Sequence, residues 1–206
     1  MPSYHLVLVE YRMDAVSGKY QKHDCTNPTI YPQTPEGKSS LVFKDNPKSA
    51  RKGVKLYWRV RHTGRAKLMK AKYKPREEIN FTISGSCDKD QRAMIEFFAK
   101  QEAKFRVRIA QYTGNTFNSW KTFALDPVTK EVTPSYLTIF FTPQQGAICY
   151  TSTVDDLVFV VIDDISFTST EGKIGWYDYQ ITLKRVNCQD IQGTWTDELA
   201  CTGTPS

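Results

Sequence analysis

Long hydrophobic runs are missing from this 206-residue sequence: the longest uninterrupted apolar stretch, Leu157 to Ile162, spans six residues. A membrane-spanning helix needs roughly 20, so no membrane insertion is expected. The start of the chain, Met1-Pro2-Ser3-Tyr4-His5, lacks the basic head of a signal peptide, and Leu6 to Val9 is too short for its apolar centre. Glycine and proline are sparse, 11 and 10 residues, which excludes a low-complexity chain. Cys-x-x-Cys pairs are absent. The five cysteines, Cys25, Cys87, Cys149, Cys188 and Cys201, are odd in number and widely spaced, a pattern that suits reduced thiols better than a disulfide framework. The sequence also lacks a Gly-x-Ser-x-Gly elbow, a His-Glu-x-x-His helix and an EF-hand loop. Gly37-Lys38-Ser39 mimics the end of a phosphate loop, but Pro32 stands where the first glycine belongs.

Aromatic side chains are plentiful, with 11 Phe, 11 Tyr and 4 Trp, and the chain is long enough to bury a real core. Charge is unevenly placed. Overall 28 Lys and Arg face 22 Asp and Glu, a net of +6. Residues 48–76 carry twelve basic side chains and no acid, whereas residues 77–206 carry eleven basic and seventeen acidic ones. A neutral or acidic body therefore bears one strongly basic element. Such an element suits phosphates, an acidic neighbouring subunit, or solvent alone.

Most segments read as strands. Tyr4 to Tyr11 is short and apolar. Residues 24–50, with Pro28, Pro32, Pro35 and Pro47, read as a long Pro-rich loop. Lys55 to Arg61 alternates strictly, Leu56, Trp58 and Val60 against Lys55, Tyr57, Arg59 and Arg61. Thr63-Gly64 supplies a turn and Arg65 to Tyr73 a returning strand. A bulge near Leu68-Met69 would keep Lys55, Arg59, Arg61, Arg65, Lys67, Lys70, Lys72 and Lys74 on one basic face above an apolar underside. Ile79 to Ser84 is a strand ending at a Ser84-Gly85 turn. The helical segment runs from Lys89 to about Lys104, capped by Asp88 with Gln91 as capping-box partner. Met94, Phe97, Phe98 and Phe105 share one stripe, with Ile95 beside it, and Asp88–Arg92 and Glu96–Lys100 are expected i,i+4 pairs. Strands follow at Phe105 to Tyr112, Trp120 to Leu125, Tyr136 to Phe141, Ala147 to Tyr150, Leu157 to Ile162 and Trp176 to Val186.

These elements predict a mainly β chain with one helix (α+β). It would form an antiparallel β-sandwich or barrel flanked by the helix, with a β-hairpin and the Pro-rich loop as additions. One domain would occupy residues 1–186, including a loop and basic hairpin extension over 24–76, followed by a polar tail at 187–206. Catalytic, cofactor and metal sites are not expected. His5, His23 and His62 are scattered, and Asp155-Asp156 and Asp163-Asp164 bracket an apolar strand as charged gatekeepers.

The block from Ile79 onward, with its strand, Asp88-capped helix bearing Phe97-Phe98, strand Phe105 to Ile109 and closing strand Trp176-Tyr177-x-Tyr179-x-Ile181-Thr182-Leu183, resembles the tail-tube fold of tailed bacteriophages. The resemblance covers roughly residues 79–186 and is one of element pattern. It implies a non-enzymatic virion component of a tail or baseplate, made in the host cytoplasm. Such a protein would self-associate into a ring, hexameric or trimeric, dock on other tail or baseplate proteins, and allow DNA passage without specific binding. The eight basic residues of the hairpin would be partner-binding. The family's tubes often present an acidic lumen, so a basic ribbon facing the lumen would depart from that habit. The alternative is a nucleic-acid-binding β-domain using the 48–76 ribbon, with Tyr57 and Tyr73 as stacking or phosphate-contacting groups.

Overall fold

The computed structural model describes residues 2–22, 40–57, 60–62, 68–70, 76–121 and 159–186. They are mainly strand, with one helix, as the apolar periodicity implies. In chain order the elements are β1 (Pro2–Met13), β2 (Tyr20–Lys22), β3 (Ser40–Val42), β4 (Ser49–Tyr57), β5 (Val60–His62), β6 (Leu68–Lys70), β7 (Arg76–Asp88), α1 (Lys89–Ala99), β8 (Ala103–Thr113), β9 (Thr116–Lys121), β10 (Phe159–Ser169) and β11 (Trp176–Arg185). Nine strands share one antiparallel sheet in the order β2-β1-β8-β10-β11-β7-β4, with β3 also on β1 and β9 also on β8. β5 and β6 form a separate two-stranded ribbon.

The spine of the sheet is the β1–β8 pair, in register over eleven positions from Pro2–Thr113 to Arg12–Ala103. Leu6, Val7, Leu8, Val9 and Tyr11 are all buried, so both faces of β1 are covered. The unbroken Leu-Val-Leu-Val run reflects this, since a strand facing water on one side would alternate. Leu6, Leu8, Val107 and Ile109 point into a core shared with Ile83, Ile181 and the helix side chains Met94, Ile95 and Phe98. Val7, Val9 and Tyr11 point the other way, into a second cluster with Ala110, Tyr112 and Phe159.

α1 is held at three places. Asp88 caps it, accepting the Gln91 backbone N–H at 2.8 Å. The capping-box return is not made: Gln91 Oε1 instead accepts the Lys44 backbone N–H at 3.0 Å, and Lys44 Nζ donates to Asp88 at 2.9 Å. Arg92 forms the third tie. Its guanidinium lies 4.5 Å from the Tyr177 ring and 5.2 Å from the Phe167 ring, while its Nε donates to Glu96 at 2.7 Å. The expected Asp88–Arg92 and Glu96–Lys100 pairs are thus replaced by Lys44–Asp88 and Arg92–Glu96. A cation arriving from another part of the chain displaced the local one.

Other sequence expectations need correction. The helix stops at Ala99, because the chain turns at Lys100 and enters β8 at Ala103 to pair with Arg12. Phe105 belongs to β8, yet its ring still meets Phe98 at 6.0 Å between centroids. Within the expected 24–50 loop, residues 40–42 are β3 and β4 begins at Ser49; Leu41, Val42 and Phe43 are buried, an apolar triplet masked by the surrounding prolines. Residues 24–39 of that loop lie outside the described residues. So do the strands expected at Tyr136 to Phe141 and Ala147 to Tyr150, and the tail at 187–206. The return strand expected from Trp120 is β9, which starts at Thr116 directly after a turn at Gly114, φ +58°.

Ser84-Gly85 is not a turn but the interior of β7. Glycine is needed there for close approach: a Cβ on Gly85 would sit 2.6 Å from Oη of the buried Tyr179. Gly53 in β4 is the control, its nearest neighbour being 3.8 Å from a built Cβ. Gly85→Ala is expected to cost about 1–3 kcal/mol through overpacking, and Gly53→Ala to be neutral or slightly stabilising. Chemical denaturation of the two variants checks this; equal effects would show that Tyr179 does not fix the site.

Candidate functional site

β4 is an edge strand whose described pairing is with β7 alone, Ser49 opposite Ser84 through Tyr57 opposite Arg76. Near the body it is anchored, with Ala50 packed on the main core and Ser49 Oγ 2.6 Å from Ser84 Oγ. Further along, Gly53, Val54, Lys55 and Leu56 are all exposed. Val54 and Leu56 keep 53% and 49% of their surface in solvent. Consecutive strand residues point to opposite faces, so both faces of β4 have left the core by Gly53. Past Lys184–Asn80, where the β11–β7 pairing ends, β4 and β7 continue together as a two-stranded arm, and the β5–β6 ribbon lies within the chain that joins them.

This arm differs from the hairpin read in the sequence. Lys55 pairs with Glu78 of β7, not with the 65–73 segment, and the ribbon itself is short: Val60 opposite Lys70, Arg61 opposite Met69, His62 opposite Leu68. β7 is the longer and more apolar partner, with buried Ile79, Phe81 and Ile83, and it takes β4 in preference to the nearer strand. Of the expected apolar underside, Leu56 is half exposed, and Trp58 and the Val60 side chain lie outside the described residues. Of the eight basic candidates, Lys55 is exposed on β4, and Arg61 and Lys70 lie on β5 and β6. Arg59, Arg65, Lys67, Lys72 and Lys74 lie outside the described residues. Arg51 and Lys52 belong to the same arm although the alternation at Lys55 to Arg61 did not include them; the acid-free stretch from 48 onward was the signal. Glu77 and Glu78 are the acids paired with the arm, opposite Leu56 and Lys55, and Lys184 Nζ donates to Glu78 at 3.1 Å.

A second group of cations was not legible as special. Lys104, Arg106 and Arg108 lie on one face of β8 and are buried. Lys104 Nζ is 4.3 Å from the Tyr20 ring centroid, and Arg108 is 4.5 Å from that of Trp120. Their stems complete the second core, as long cationic side chains do against aromatic surface. Exposure, not charge count, separates them from the arm.

Titratable groups elsewhere serve structure. His5 Nδ1–H donates to the Phe43 carbonyl at 2.9 Å, and the His5 ring stands edge-on to Tyr112 at 5.3 Å. Asp163 and Asp164 are exposed at a bulge where the β10–β11 register shifts; Asp155, Asp156, His23 and the four other cysteines lie outside the described residues. The Cys87 thiol is free, and burial, reinforced by the Asp88 charge, pushes its pKa up to about 12. Among the described residues no group of three His, Cys, Asp or Glu side chains could hold a metal ion, and no helix is long and apolar enough to cross a membrane.

Comparison with known protein families and with curated proteins matches none of them to this chain.

Asp88 links this region to pH. Partial burial opposes its charge, but the Gln91 N–H and Lys44 outweigh that and hold its pKa below the ordinary value. A carboxylate depressed in the native state stabilises above its unfolded pKa, about 4, and that stability is lost as pH falls through the native value. Asp88→Ala is therefore expected to cost about 1–2 kcal/mol at pH 7, with the difference from wild type shrinking as pH drops below about 4. Denaturation midpoints across pH 2–7 test this; a difference independent of pH would contradict it.

Proposed function

We propose that this protein is a structural component of a phage tail or baseplate that self-associates into a ring and docks on neighbouring rings, without catalysis. The observation that carries the reading is the arm. A strand at the edge of the described sheet, exposed on both faces from Gly53 to Leu56 and carrying Val54 and Leu56 beside Arg51, Lys52 and Lys55, is a surface suited to another chain. Its charge narrows the choice of partner. Two copies of β4 would bring like charges together, so a symmetric β4-to-β4 contact is disfavoured. A different, acidic surface on the next copy is favoured, and residues 77–206 carry six more acidic than basic side chains. A heterologous contact of this kind generates rings when the rotation closes. The mainly β architecture with one flanking helix is compatible with the tail-tube resemblance of residues 79–186. The expected localisation is the virion, and the expected partners are copies of the chain and other tail or baseplate proteins.

Replacing Arg59, Arg61, Lys70 and Lys72 with Glu tests the reading against its rival. If the ribbon docks on protein, the variant stays folded but fails to assemble, each attraction having become a repulsion. If the ribbon binds nucleic acid, wild-type affinity for DNA falls steeply with salt, and the variant loses DNA binding while keeping its oligomeric state. Size-exclusion chromatography and a gel-shift titration over 50–300 mM salt read the two outcomes. Intact assemblies combined with lost DNA binding would overturn the proposal.

A further inference from the structure

A groove of about 420 Å³ opens beside the β10–β11 turn, next to the start of β4. One wall is the indole of Trp176, the first residue of β11; the turn from Thr170 to Gly175 and the segment joining β3 to β4 complete it. Its floor is a preorganised relay. Lys48 Nζ donates to Ser86 Oγ at 2.6 Å, and Ser86 Oγ donates to Asp178 Oδ1 at 2.6 Å. The register holds these groups together, because Asp178 of β11 lies directly opposite Ser86 of β7. Thr170 belongs to the same lining, with its Oγ1 turned away from solvent.

The chemistry of the lining selects the ligand class. Asp45 and Asp178 balance Lys48 and Lys173, so the groove is formally neutral and has no net attraction for an anion or a cation. Its polar groups are donors and acceptors interspersed around a single aromatic surface. A pyranose has the matching character: an apolar C–H face to lie on the indole and a rim of hydroxyls that both donate and accept. A nucleotide would need net positive charge, and an apolar ligand would strip water from the charged Lys48 and Asp178 without replacing its hydrogen bonds. The indole face already receives one polar group: Nζ of Lys173, an exposed turn residue, sits 5.6 Å from the Trp176 ring centroid.

We propose that this groove is a saccharide-binding site, with Trp176 as the stacking platform and Asp178, Ser86 and Lys48 as the hydroxyl-reading groups. The inference is independent of ring assembly and of the arm. The full chain is titrated with glucose, galactose, N-acetylglucosamine, rhamnose and their oligomers, using isothermal calorimetry and protein-observed NMR. Saturable binding of at least one sugar is expected, weakened about tenfold or more by Trp176→Ala. Ser86→Ala, which removes the centre of the relay and leaves the turn intact, should weaken it by a smaller factor, so the test survives if Trp176→Ala disturbs the turn. Lack of binding across the panel by a folded chain would overturn the proposal. So would binding that neither variant changes, or binding of inorganic phosphate in preference to every sugar.

Discussion

The architecture depends on one constraint: β1 has no solvent face. A strand buried on both sides needs a cover on each, and the rest of the described fold is arranged to supply the two. α1, β7 and β11 close one side, with Phe98 and Ile95 fully buried against Leu6 and Leu8. The aromatic residues Tyr20, Phe117, Trp120 and Phe159 close the other, over Val7, Val9 and Tyr11. The short segment after β3 joins the two systems. Phe43 enters the main core, Asn46 accepts the Leu6 N–H and donates to the Tyr4 carbonyl, and Lys44 binds the helix cap. Three residues within this short segment thereby tie β1 and α1 into one unit.

That tie explains which parts of the structure were legible in the sequence. β1, the Asp88-capped helix, β8 and the closing strand from Trp176 followed from periodicity and capping, which are local signals. The Tyr177-Tyr179-Ile181-Leu183 face was readable because strict alternation runs through it, and the structure buries Tyr179, Ile181 and Leu183 as that pattern requires. The errors arose where a distant residue decided the outcome. Lys44 took the place of Arg92 beside Asp88, and Gly85 looked like a turn because its neighbour Tyr179 is far along the chain. β4 chose β7 over the nearer hairpin partner for a similar reason, as its pairing is determined by which strand is long and anchored.

The candidate site was legible as charge but not as geometry. An acid-free run of twelve basic residues marked the region, and nothing in the run distinguished exposed from buried cations. The structure supplies that distinction by placing Arg51, Lys55, Val54 and Leu56 in solvent on an edge strand, while Lys104, Arg106 and Arg108 complete a core. An exposed apolar and basic edge of this length is a hazard for an isolated chain and an asset for an assembling one. The reading as an assembly protein follows from that contrast more than from the resemblance of elements.

The claim that the arm exists to engage another copy is tested most directly by the mass of the purified wild-type chain under native conditions, with negative-stain imaging of the same sample. The account predicts closed rings of a fixed number of subunits, three or six by the resemblance, that persist on dilution into the low micromolar range. A monodisperse monomer at the highest soluble concentration, folded and with the arm exposed, would contradict it.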